Sequence, residues 1–79
     1  MNLELINGQF SKNEVVDILN EMIKIKINFH EQKINESDSE EDIKLRENKI
    51  KSLQQNFQTI RELIKDKNIV SLNGQINLN

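Results

Sequence analysis

The feature that most constrains folding is the distribution of helix breakers. The chain has no proline, and its two glycines, Gly8 and Gly74, stand near opposite ends. Residues 11–70 therefore lack both of the residues that most strongly interrupt a helix. Within this span, Ser11-Lys12-Asn13-Glu14 has the form of a capping box, with a serine hydroxyl for the N-cap and a glutamate three residues on to return the hydrogen bond. The spacing predicts a helix over 12–35. Its apolar residues are Val15, Val16, Ile18, Leu19, Met22, Ile23, Ile25, Ile27, Phe29 and Ile34. At about 100° per residue they cover an arc of roughly 200°, wider than one partner helix requires.

Met22 to Phe29 reads MIKIKINF, a period-two alternation rich in β-branched isoleucine that also suits a strand. The helical reading is preferred because a strand there needs a turn near Asn20-Glu21, where neither Gly nor Pro stands. The spacing Val15, Ile18, Met22, Ile25, Phe29 also keeps the helical period unbroken.

Asn35 to Asp42 is wholly polar and holds two overlapping helix starts, Ser37 with Glu40 and Ser39 with Asp42. Their acids suit the positive end of a helix dipole. This predicts a loop over 36–39 and a second helix over 40–67. Ile43, Arg46, Ile50, Leu53, Phe57, Ile60 and Ile64 form a heptad seam on that helix, interrupted only by Arg46.

The two ends share an apolar-Asn-Gly-Gln-apolar pattern, Ile6 to Phe10 and Leu72 to Ile76, and Val70, Leu72, Ile76 and Leu78 alternate with polar neighbours. A helical hairpin returns the chain to its starting point, so strands over 1–10 and 69–78 are expected to meet as antiparallel neighbours. The alternative is that each Asn-Gly makes a turn and the ends are irregular. The fold expected is a single mostly α domain of β-α-α-β order.

At 79 residues the chain is near the lower size limit for a self-sufficient core, and it has no cysteine for a disulfide or thiolate metal site. Oligomerisation is the remaining common remedy. The net charge of -2, with both signs interspersed, gives no strong field toward nucleic acid or anionic lipid. The longest apolar runs are two residues, as at Val15-Val16, and the first ten residues lack the basic and apolar regions of a secretory signal. The expectation is a cytoplasmic protein with no membrane span.

Catalytic motifs are absent: there is one histidine, no cysteine, and no glycine-rich phosphate loop. No enzyme, cofactor or small-molecule ligand is expected. Asp38-x-Glu40-x-Asp42 resembles the opening of a calcium loop, but Ile43 stands where that loop needs glycine, and helix capping accounts for the acids. Ser37 and Ser39, each followed by acids, fit an acid-directed kinase no better than they fit capping.

The anomaly is basic. Lys26, His30 and Lys33 project toward the broad apolar arc of the first helix, and closing the hairpin near Asp38 places His30 opposite Arg46. These four residues are the candidate contact for an anion or acidic peptide. The plainer reading makes them a solvated layer in which Arg46 pairs with an acid to fix register.

The expected function is a non-enzymatic structural or adaptor module, with itself and another protein as partners. Val16, Leu19, Ile23 and Ile27 are the candidate dimer interface, leaving the stripe from Val15 to Phe29 for the second helix or the reverse, and two copies would form a four-helix core. The alternative is a small nucleic-acid-associated regulator acting through Lys24, Lys26, Lys33, Lys44, Arg46, Lys49 and Lys51. The acidic balance and lack of an aromatic stacking platform weigh against it.

Overall fold

The computed structural model describes residues 1–78 and has the order β1 (Asn2–Ser11), α1 (Lys12–Glu36), α2 (Glu40–Ile64) and β2 (Ile69–Asn77). The capping box forms as its chemistry requires. The Glu14 N–H donates to Ser11 Oγ at 3.2 Å, and the Ser11 N–H donates to Glu14 Oε1 at 2.9 Å. The backbone bond from Ser11, then the one with its side chain, holds the Glu14 carboxyl below its ordinary 4.5. Ser11→Ala is expected to lower stability by about 1 kcal/mol in urea denaturation, since the Glu14 N–H loses its acceptor.

MIKIKINF lies wholly inside α1. Its alternation is overridden because the helix is already nucleated at Ser11 and meets no breaker before Ser37. The chain turns at Ser37-Asp38-Ser39. Only one of the two possible helix starts is used: the Asp42 N–H donates to Ser39 Oγ at 3.3 Å, whereas Ser37 accepts from the Ser39 N–H at 3.2 Å and so holds the loop. α2 ends at Ile64, short of Lys67. There the Lys67 N–H donates to the Ile64 carbonyl at 2.9 Å, and Lys12 Nζ reaches across from the start of α1 to the Lys65 carbonyl at 2.8 Å. A lysine supplies what a C-terminal glycine often does, and it ties the start of one helix to the end of the other.

β1 and β2 pair antiparallel, with Phe10 opposite Val70, Gly8 opposite Leu72 and Ile6 opposite Gly74. Both Asn-Gly pairs are thus mid-strand, and among the described residues no glycine has a positive φ. The partner strand comes from the far end of the chain, so no local turn is needed. At Gly74 the glycine supplies space, since a Cβ there would meet Ile6 Cγ2 at 3.3 Å, whereas one at Gly8 would make an ordinary contact with the Phe10 ring at 3.6 Å. An irregularity between Glu4 and Ile6 leaves Leu5 without a partner and resets the pleat, so that Leu3 opposite Ile76 joins the face carrying Ile6 and Phe10.

The helices pack along their length, and the strand ribbon packs mainly on α1. Val16, Leu19, Ile23, Ile27 and Ile34 are half-buried, as are Ile43, Ile50, Leu53, Phe57, Ile60 and Ile64 on α2. At the corner where the ribbon meets α1, Val15 is the one fully buried apolar residue among those described, at 1% exposure. Ile18, one turn on, is half-buried, and beyond it Met22, Ile25 and Phe29 are exposed. The molecule is a slab of 45 × 33 × 15 Å with a radius of gyration of 15.1 Å, against about 11.6 Å expected for a compact chain of this length. Among the described residues no helix is long and apolar enough to cross a membrane.

Candidate functional site

The site grows from the cap of α2. Ser39 fixes the first turn of that helix through Asp42, and one turn later Arg46 Nε donates to Asp42 Oδ2 at 3.3 Å. The guanidinium, held at that end, extends toward α1, where Nη1 lies 3.2 Å from His30 Nδ1. Arg46 and Asp42 are both half-buried, and His30, at 9% exposure, is the buried polar side chain. The expected opposition of His30 and Arg46 is therefore met directly. Capping, ion pair and interhelical contact form one relay from the loop into the hairpin.

Guanidinium has donors and no acceptor, so its bond to His30 requires a lone pair on Nδ1. The neutral ring then carries its proton on Nε2. Burial foremost, then the charges of Arg46, Lys49 and Lys26, hold the imidazole below its ordinary 6.5. The phenyl ring of Phe29 meets His30 edge-on at 5.5 Å, with Arg46 Cζ 5.9 Å and Lys33 Nζ 5.7 Å from the Phe29 centroid. Both cations lie where the ring quadrupole attracts them.

Beside this layer runs a groove of about 430 Å³ between α1 and α2, lined by Lys26 and His30 from α1 and by Leu45, Asn48, Lys49, Ser52, Leu53 and Asn56 from α2. Of the four basic candidates, Lys26 and His30 line it, Arg46 braces His30, and Lys33 lies over Phe29 instead. Lys49 entered the sequence analysis only as one of the basic residues of the nucleic-acid alternative, and Asn48 and Ser52 did not enter it. The signal that could have found them is position, since 45, 49, 52 and 56 form the row flanking the Arg46, Ile50, Leu53 seam. Of the other basic residues considered, Lys24 lies 3.4 Å from Glu21 on the same helix. Val16, Leu19, Ile23 and Ile27 are half-buried on the helix that packs along α2, and the open stripe of α1 is Met22, Ile25 and Phe29.

Asp38, Glu40 and Asp42 do not converge on a cation position: among the described residues no group of three or more His, Cys, Asp or Glu side chains is arranged to hold a metal ion. Comparison with protein-family models, curated proteins and solved structures finds no match to the chain.

A histidine whose protonation is disfavoured in the fold gives a signed pH dependence. Its unfolded value is the ordinary 6.5 and its folded value lies below, so the native state binds fewer protons in that window. The stability it contributes is complete above about pH 6.5 and declines as the pH falls toward the folded value. Urea midpoints measured across this range should decline toward acid, and His30→Gln should flatten that part of the profile. Glu14 acts in the same direction at lower pH, beginning near its ordinary 4.5.

Proposed function

We propose that this chain is a non-enzymatic protein-interaction module that works as a homodimer. The observation carrying this reading is surface in excess of what a compact monomer exposes. The chain has 6434 Å² of accessible area at 9.3 kDa, whereas monomers of that mass expose about 5,000 Å². The excess, roughly 1,400 Å², exceeds the ~800 Å² per partner of a standard interface and falls in the range of obligate dimers.

The excess has an apolar locus. Met22, Ile25 and Phe29 on α1 are exposed at 41, 68 and 52%, and Leu3, Ile76 and Leu78 on the ribbon at 47, 42 and 47%. Met22, Ile25 and Phe29 continue the α1 stripe that begins at Val15 and Ile18, and Leu3 and Ile76 share the ribbon face of Ile6 and Phe10. A slab one layer thick cannot cover both sides of its own helices, and a second slab can. A twofold pairing requires only that this surface match itself, and it gives a four-helix core flanked by the ribbons. Light scattering coupled to gel filtration at micromolar concentration should return twice the chain mass. A monomer mass unchanged on concentration sinks the proposal.

A further inference from the structure

The groove between α1 and α2 has a charge composition at odds with the chain around it. Acids outnumber bases, 13 to 11, yet the ionisable residues lining the groove are Lys26, His30 and Lys49. Asp42, one turn before Arg46, is engaged by it. Because Arg46 occupies His30 Nδ1, the remaining ring proton is on Nε2. No partner engages Nε2 among the described residues, and no buried side-chain nitrogen or oxygen lacks a partner. Nε2 thus keeps some contact with solvent on a ring that is 9% exposed and lines the groove. Two ammonium groups and a tautomer-fixed imidazole donor border one depression whose walls, Leu45 and Leu53, are aliphatic.

We propose that this groove receives the carboxylate of an acidic peptide segment, with Lys26, Lys49 and His30 Nε2–H as its donors and an aliphatic neighbour of the acid resting on Leu45 and Leu53. The carboxylate is favoured over an inorganic oxyanion because the groove extends past its cationic groups along α2, where Ser52 and Asn56 offer hydrogen bonds to a peptide backbone. Arg46 has the positioning role: pinned to Asp42, it selects the tautomer that donates into the groove. The groups facing His30 are Lys26 from its own helix and Arg46 and Lys49 from α2, all cationic, and they disfavour its protonation. A bound carboxylate reverses that balance, so binding raises the His30 titration midpoint and tightens as the pH falls through it.

The single histidine makes the test direct. Long-range proton–nitrogen NMR of the full chain reads one imidazole, first alone and then with millimolar N-acetyl-Leu-Glu-Leu-amide, its Leu-Gln-Leu counterpart, or inorganic phosphate. The free ring should show the Nε2–H tautomer, and the glutamate peptide should shift it saturably and raise its midpoint, the glutamine peptide leaving both unchanged. Lys26→Gln and Lys49→Gln, at exposed positions that keep the helical spectrum, should each weaken binding about fivefold, as expected for one partly screened charge-assisted contact. No response to the glutamate peptide, an equal response to the glutamine peptide, or a response to phosphate alone overturns the proposal. The scattering mass of the same sample separates this result from the dimer reading, since a monomer can bind and a dimer can fail to bind.

Discussion

In the proposed dimer, Ile25→Asp should leave a weakly associating chain, raising the dissociation constant by roughly two to four orders of magnitude. The side chain is 68% exposed on the chain by itself. In a monomer, a charge there would be nearly silent, within about 0.5 kcal/mol as for most surface substitutions. In a twofold interface the loss counts once per copy. Burying an isoleucine contributes about 1.5–3 kcal/mol, so two copies forfeit on the order of 3–6 kcal/mol before any cost of burying the carboxylate. Light scattering across a concentration series measures the change. Association also stabilises by mass action, so the wild-type melting temperature should rise with concentration, and the Ile25→Asp protein should melt lower. An unchanged mass and melting curve would show that the α1 stripe is not the interface.

Val15→Ala should be the most damaging conservative substitution in the chain. Among the described residues Val15 is the one apolar side chain sealed from solvent, in the first turn of the helix that follows β1. Removing two methyl groups loses about 1.6 kcal/mol of transfer energy, and the cavity left behind brings the total to about 2–3 kcal/mol. For 79 residues total stability is on the order of 4–12 kcal/mol, so this is a large fraction. It corresponds to a fall in melting temperature of roughly 10 °C or more. The neighbouring Val16 is half-buried, and Val16→Ala should cost about half as much. Equal effects at the two positions would mean that the corner is not where the monomer is held together. Paired melting curves on the two variants decide it.

The local events were legible because their causes are local. Ser11 and Glu14 announce a helix start within four residues, and the same two side chains close the capping box. The absence of breakers between the glycines carries the helix through MIKIKINF despite its strand-like alternation. The choice between Ser37 and Ser39 was not legible. Both have the capping form, and the decision rests on Ser37 being used by the Ser39 N–H in a three-residue loop. The second helix stops before Lys67 for a similarly non-local reason, since the group that caps Lys65 is a lysine 53 positions earlier.

The candidate site divides along the same line. Charge and heptad position alone brought out His30 and Arg46 as misfits on their helix faces. That the two touch follows from loop length and antiparallel packing, which the polar run from Asn35 to Asp42 already implied. Lys33 and Lys49 exchanged importance because a lysine's long side chain goes where its neighbours allow: Phe29 draws Lys33 onto its ring, while Lys49 stays along the groove. Hydrophobic periodicity gave two stripes on the first helix without saying which would remain open. Val15 is buried and Ile18 half-buried, whereas Met22, Ile25 and Phe29 further along the same stripe are exposed. The sequence by itself determined the elements, their order and the antiparallel return of the ends, because capping, periodicity and breakers act over a few residues. Tertiary structure alone decided which faces are covered and which side chains share a groove, because those depend on distances between residues that the chain brings together only after the hairpin has closed.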